Sequence, residues 1–153
     1  MSIALSRRLK QIVLGHDVLT DSSLRDALPN FTLCIFGGTR PTTPESSTSE
    51  IPLLTYYPCN FLGSDYDSTI ENVVLKKTSA VWVDVADGTG TAVWFRVFIN
   101  GADTGRNADT FFTYSRIDGD VSETVGDLVL SDVSITIAGT KVIDQFNITI
   151  AVV

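Results

Sequence analysis

The chain has 153 residues, of which 44% are hydrophobic, so it is long enough to form one domain with a buried core. Its apolar residues fall in short runs, which exclude a membrane-spanning helix. A net charge of −7 argues against nucleic acid as a ligand, because binding phosphates requires clustered Lys and Arg side chains. The totals therefore favour a globular protein whose partners are neither membrane nor nucleic acid.

The first thirty residues carry a helical pattern. Apolar residues at i, i+4 and i+7 predict an amphipathic helix over residues 3–14. A second short helix is predicted over residues 21–29, where Pro29 would end it. The spacing of the first helix depends on Leu5, Leu9 and Ile12. We expect residues 1–30 to form a helical N-terminal segment beside a β-domain at residues 31–153.

From Phe31 onwards the apolar residues alternate with period two, which is typical of β-strands. The strand candidates are residues 31–36, 51–57, 72–77, 81–86, 93–99, 110–117, 128–137 and 141–153. Between the candidates at residues 81–86 and 93–99, Asp87-Gly88-Thr89-Gly90 predicts the turn of a β-hairpin. In the last candidate, Val142, Phe146 and Ile148 share one face that only Asp144 interrupts. Short strands separated by Gly/Asp turns predict a mainly β fold, an antiparallel, jelly-roll-like sandwich or barrel.

Few residues are candidates for chemistry. His16 is the only histidine, so neither a nucleophilic triad nor a four-ligand zinc site has its residues. The acidic segment 118–127 fails as an EF-hand because its sixth position is Glu123 and its twelfth is Val129. We expect a solvated acidic turn, with weak Ca²⁺ binding by its oxygen ligands as the alternative. The strand carboxylates Asp84 and Asp144 have ordinary solvent-facing explanations. We expect no enzymatic activity, no cofactor and no metal.

Two features allow more than one interpretation. Cys34 and Cys59 are expected to be buried thiols, with a disulfide between neighbouring strands as the alternative. The aromatic residues Trp82, Trp94 and Tyr114 could form a sugar-binding surface or belong to the core, which strand aromatics usually do. The tryptophans alternate with valines. One strand face therefore packs in the core, and the other packs on a second sheet or a neighbouring subunit.

A series of motifs resembles small structural proteins of tailed bacteriophages and prophages. They are "RRLKQIVLG", "SLRDALPN", a Gly-Gly and Pro/Thr-rich stretch before "LL", "AVWFRV", "DTG", "SRIDGDV", "GDLVLSDVSITIAGTKV" and "FNITI". The resemblance covers most of the chain. It implies a virion protein made in the bacterial cytoplasm, of the head decoration or cement type, with a tail or adsorption-apparatus subunit as the neighbouring possibility. It implies no catalytic residues.

The polar loop at residues 37–50 is long for a segment without predicted strands or helices, and such loops are usually functional or disordered. We expect it to lie along a neighbouring subunit; a flexible surface loop is the alternative. The candidate intersubunit contacts are Leu5, Leu9, Ile12, Thr39, Arg40, Pro41, Thr42, Thr43 and Pro44. The expected partners are the major capsid protein or other virion proteins. We also expect the protein to form a homo-oligomer on a symmetric lattice. A carbohydrate-binding module for the host surface is the rival hypothesis.

Overall fold

A computed structural model describes residues 3–7, 31–59, 66–67, 73–76, 81–99, 103–111 and 113–149. Within these residues the chain forms twelve β-strands. They are β1 (Ala4–Leu5), β2 (Phe31–Phe36), β3 (Leu54–Cys59), β4 (Tyr66–Asp67), β5 (Val73–Lys76), β6 (Trp82–Val85), β7 (Gly90–Thr91), β8 (Trp94–Phe98), β9 (Arg116–Ser122), β10 (Leu128–Leu130), β11 (Ser134–Ile135) and β12 (Thr140–Thr149). The prediction of a mainly β chain is confirmed.

Ten strands form one sheet. Its order is β3-β2-β8-β9-β10-β12-β5-β4, with β1 paired to β9 and β6 paired to β12, while β7 and β11 form a separate pair. Tyr56 of β3 stacks on Trp82 of β6, with 5.5 Å between ring centroids. This contact brings the β3 end of the sheet beside β6, so the sheet is nearly closed and resembles a barrel.

The inner face of the sheet encloses the main core. Phe146 of β12 lies at its centre: its ring centroid is 5.4 Å from that of Phe95 and 5.7 Å from that of Trp82. The other fully buried apolar residues of this core come from strands on all sides of the sheet. They are Phe31, Leu33, Ile35, Leu54, Val97, Ile117, Leu128, Leu130 and Ile148.

The prediction of N-terminal helices is not confirmed. Ala4 and Leu5 are extended and pair with Asp118 and Ile117 of β9. Ile3 and Leu5 pack against the main core, so their apolar spacing reflects burial beside a strand rather than one face of a helix starting at residue 3. Residues 8–30, which hold the rest of the first predicted helix and all of the second, lie outside the described residues.

The predicted hairpin is wrong, although strands do form on both sides of its turn. β6 pairs with β12, placing Val83 opposite Val142, whereas β8 pairs with β2 and β9. All five residues of β8 are buried. Because β8 is hydrogen-bonded to β2 along one edge and to β9 along the other, it has no free edge with which β6 could pair.

The boundaries around β9 also differ from prediction. The expected strand at residues 110–117 begins only at Arg116, because the Asp109 carboxylate binds the backbone N–H groups of Thr113 and Tyr114 at 2.9 and 2.8 Å and forms a turn. The first half of the predicted acidic turn, Asp118 to Val121, is strand instead. The negative charges of Asp118 and Asp120 are tolerated in this strand because each forms an ion pair with an arginine side chain.

Two irregularities depart from a simple antiparallel pattern. β9 and β10 pair in parallel, with Leu128 opposite Val121. Between β10 and β12 the register shifts, so that Val129 faces Gln145 but Leu130 faces Ile143. The shift leaves Asp144 as the extra, exposed residue of a β-bulge. The prediction that Val142 shares the buried face of Phe146 is therefore wrong, since the bulge reverses the alternation.

Candidate functional site

The sheet is buried on its outer face as well, over β2, β8 and β9. Cys34, Arg96 and Asp118 lie opposite one another in one row across the three strands. Two loops, residues 37–50 and 103–111, cover this face; together they are called the cover below. The outward-facing residues that are buried beneath it are Thr32, Cys34, Phe36, Trp94, Arg96, Phe98, Arg116 and Asp118.

Arg96 joins the sheet to both loops of the cover. Its Nε and Nη2 atoms donate to the two carboxylate oxygens of Asp118 at 2.7 and 2.6 Å. Its Nη1 atom donates to the backbone carbonyls of Ser46 and Gly105 at 3.1 and 2.9 Å. Burial raises the pKa of the Asp118 carboxyl, and the hydrogen bonds and charge of Arg96 oppose that shift. The guanidinium group is fully buried and thus serves as a fixed anchor for the loops.

Arg116 makes the same type of connection through a different carboxylate. Its Nε and Nη2 atoms donate to Asp103 at 2.7 and 2.6 Å, and Asp103 belongs to the cover itself. Its remaining bonds go to the carbonyls of Pro44 and Asn107, each at 2.9 Å. The carboxylates of Asp103 and Asp118 are each held by a bidentate arginine contact, so neither of these two is positioned to exchange protons with a substrate.

The two loops of the cover are also hydrogen-bonded to each other. The N–H of Thr48 donates to the Arg106 carbonyl at 3.0 Å, and the N–H of Asp109 donates to the Glu45 carbonyl at 2.8 Å. The N–H of Arg7 donates to the Glu45 carboxylate, which ties the N-terminal strand to the same structure. The cover is thus a single hydrogen-bonded layer, although it has no regular secondary structure.

A small apolar cluster lies between the cover and the sheet. It consists of Cys34, Phe36, Trp94 and Phe98 and is separate from the main core. Phe36 stacks on Trp94 with 4.3 Å between ring centroids, and the indole N–H of Trp94 donates to the Gly37 carbonyl at 3.0 Å. Gly105 lies so close to the Phe98 ring that a side chain there would collide with it.

Cys34 carries a free thiol. Burial raises its pKa to about 11, only partly offset by its hydrogen bond with Thr55. Since the thiolate is the reactive form, Cys34 is unreactive while it stays covered. Cys59 lies opposite Phe31, whereas Thr55 lies opposite Cys34, so the two cysteines are not cross-strand neighbours.

The predicted loop contacts are distributed over the two sides of the cover. Thr39, Thr42 and Thr43 are exposed. Pro44 is buried, and the partly exposed Arg40 forms an ion pair with Asp120 at 2.9 Å. Among the other candidates, Pro41 is partly exposed and Leu5 packs on the main core. Leu9 and Ile12 lie outside the described residues. The loop therefore packs on its own sheet and presents mainly threonines outwards.

The aromatic candidates are not arranged as a surface for sugars. Trp82 and Trp94 are buried on opposite faces of the sheet. Tyr114 is partly buried, and the Arg116 guanidinium lies 5.1 Å from its ring centroid. The most exposed aromatic residue among those described is Phe111, at the edge of the cover, with 84% of its surface accessible.

A second surface feature lies on β6 and β12, away from the cover. Val83 and Val85 point outwards from β6 with exposed fractions of 44% and 52%, and Val81, which directly precedes β6, is 72% exposed. Val142 of β12, directly opposite Val83, is 43% exposed. These four residues are called the valine face. It lies on the face of β6 opposite Trp82, and within the described residues no second sheet covers it.

Sequence reasoning identified the covering loop but missed Arg96 and Arg116, which hold it. Both arginines alternate with apolar residues inside strands, in "WFRVF" and "RIDGDVS". A charged residue in a strand with apolar residues on both faces signals a buried ion pair when a second strand carries the opposite charge. Asp118 provides that charge, within the segment 118–127 that the sequence predicts to be a turn.

Comparison with protein-family models, curated proteins and solved structures gives no match to this chain. No cluster of three or more metal-ligating side chains occurs in the described part of the chain. Within the same residues, no helix has the length and apolarity needed to cross a membrane.

Proposed function

We propose that this protein is a structural protein of the virion of a tailed bacteriophage, a decoration or cement protein that stabilises the head by contacts between subunits. Its partners are the major capsid protein or other virion proteins, and its copies follow the symmetry of the lattice. Binding to the assembled head but not to free subunits stabilises the assembled state by mass action. The motif resemblance supports the choice of a virion.

The valine face is the observation that carries this proposal. Four valines, on and directly before two paired strands, leave apolar area in water that a monomer does not need to expose. Val83 and Val142 lie side by side, so together they offer a flat contact with few rotamers to immobilise. A rigid apolar surface loses little conformational entropy when it binds, which favours a permanent structural contact.

The outer side of the cover offers a second contact surface. Thr39, Thr42 and Thr43 are held in place because the loop beneath them is hydrogen-bonded to the two buried arginines. Phe111 projects from the same layer and is suited to insert into a pocket of a neighbouring subunit. The loop thus contributes to binding as a preformed surface.

We further propose that the fold is a barrel rather than a sandwich. The stacking of Tyr56 on Trp82, across the gap between β3 and β6, supports this. The rival hypothesis of a carbohydrate-binding module has less support, because two of its three aromatic residues, Trp82 and Trp94, are buried, and only Tyr114 is partly exposed. A tail or adsorption-apparatus subunit would use the same surfaces and is distinguished by experiment.

The test is to add purified protein to phage heads assembled without it, and to measure co-sedimentation and the melting temperature of the heads. We expect binding that raises the melting temperature. Val83→Lys should reduce binding by about tenfold or more, because a charge would be placed in the centre of the contact. Val125→Lys is the matched control, since Val125 is also exposed but lies in the loop between β9 and β10.

Two results would redirect the proposal. Binding to tails and not to heads would assign the protein to the tail or adsorption apparatus. Binding to heads that is equally strong for Val83→Lys, Val125→Lys and the unmodified protein would show that the valine face is not the contact.

A further inference from the structure

The two faces of the sheet are buried by different means. The inner face is closed by apolar residues from many strands, with Phe146 at the centre. The outer face has a cluster of only four apolar residues, and its cover contributes backbone carbonyls and the Asp103 carboxylate. Much of the attachment of the cover is therefore polar, and water can replace polar contacts at lower cost than it can replace apolar packing.

The two arginines differ in what they lose if the cover moves away. Arg96 keeps its carboxylate, because Asp118 is its cross-strand partner within the sheet. Arg116 loses its carboxylate, because Asp103 belongs to the cover. The pair formed by Asp103 and Arg116 is thus a buried ion pair that depends on the position of the cover.

We propose that the cover is a strap that opens as one unit while the barrel remains folded, and that the pair formed by Asp103 and Arg116 holds it closed. The hydrogen bonds between its two loops, at Thr48 and Asp109, make them move together. Opening uncovers the apolar cluster around Trp94 and the guanidinium of Arg116. The strap therefore controls access to an apolar, cationic surface, and this inference does not depend on the virion assignment.

Cys34 is a natural reporter of opening, because it lies under the cover and is 4% exposed. Its alkylation by N-ethylmaleimide can be followed by mass spectrometry after digestion at glutamate. Glu45 and Glu50 separate Cys34 from Cys59 in the chain, so the two thiols appear in different peptides. The rate is measured at low urea concentrations, and global unfolding is measured in parallel by circular dichroism.

We expect Cys34 to react through a local opening, so that its rate rises much less steeply with urea than global unfolding does. Asp103→Asn should accelerate the reaction by roughly tenfold to a hundredfold, as expected when a hydrogen-bonded charge pair is lost. Phe146→Leu is the control. It weakens the main core, so it should lower global stability without changing the reaction of Cys34 at low urea.

The proposal is overturned if the urea dependence of the Cys34 reaction equals that of global unfolding in the unmodified protein. This comparison needs no variant and therefore stands even if Asp103→Asn does not fold. It is also overturned if Phe146→Leu and Asp103→Asn accelerate the reaction in the same proportion to their loss of global stability.

Discussion

Arg96 of β8 lies directly opposite Asp118 of β9, and its guanidinium donates to both carboxylate oxygens in a site that water does not reach. Removing one partner leaves the other charged and unpaired in the interior. We therefore expect Asp118→Asn to lower the free energy of unfolding by about 3 to 5 kcal/mol, measured by urea denaturation.

The exposed ion pair between Lys141 and Asp132 provides the control for Asp118→Asn. Its Nζ to Oδ2 distance is 3.1 Å, but Asp132 is well exposed. Water and salt screen such a pair, so Asp132→Asn should leave the urea midpoint nearly unchanged. Equal effects of the two substitutions would show that Asp118 is not an energetically important partner of Arg96.

Period-two alternation located β2, β8 and β12, because successive side chains of a strand point to opposite faces. It could not assign β8 to its neighbours, which are β2 and β9. Strand order depends on contacts between residues far apart in the chain, which local patterns do not record.

The loop of the candidate site could be predicted from the sequence, but the contacts that hold it could not. The composition of residues 37–50 predicted a loop, and Thr39, Thr42 and Thr43 of this loop are exposed. The attachment of the loop to Arg96 and Arg116 uses backbone carbonyls of Pro44 and Ser46. Any residue has a carbonyl, so the sequence holds no signal for these contacts.

Gly119 of β9 is required by a close approach to the core. A Cβ atom at this position would lie 2.5 Å from the Cε1 and Cζ atoms of Phe95, whose ring is fixed against Phe146. We expect Gly119→Ala to destabilise the protein by about 1 to 3 kcal/mol through overpacking, which thermal denaturation can measure.

Gly88 is the matched position for this test. A Cβ atom there would meet its nearest neighbours at 3.5 Å, which is ordinary van der Waals contact. Gly88→Ala should therefore be tolerated or slightly stabilising, because alanine lowers the entropy of the unfolded chain. If both variants melted at the same temperature, Phe95 would have room to move that the packing around it does not indicate.

Thr32 of β2 carries a buried hydroxyl without a hydrogen-bond partner among the described residues. Valine has almost the same shape and removes the unpaired polar group. Thr32→Val should raise the free energy of unfolding by about 1 kcal/mol in urea denaturation. Thr55→Val is the control, since the Thr55 hydroxyl bonds with Cys34, and it should show no such gain. A loss of stability in Thr32→Val would indicate that the hydroxyl is satisfied.

Asp109 makes stability depend on pH. Its burial favours the neutral form, but hydrogen bonds from Tyr114 and Thr113 outweigh this and lower the pKa of the carboxyl. A carboxyl whose pKa is lower in the folded than in the unfolded state stabilises the protein above its unfolded pKa, which is about 3.9. That contribution disappears as the pH falls through the lower, folded value.

Asp109→Asn should therefore reduce the urea midpoint at pH 6, where the native carboxylate is charged in both states. Between pH 5 and the acid limit of the folded protein, the difference between Asp109→Asn and the unmodified protein should shrink, because protonation removes the same hydrogen bonds that the substitution removes. Asp144→Asn, at the exposed position of the β-bulge, is the matched substitution with which the Asp109→Asn difference is compared at each pH. A difference at Asp109 that stayed constant over this pH range would mean that its hydrogen bonds do not depend on the negative charge.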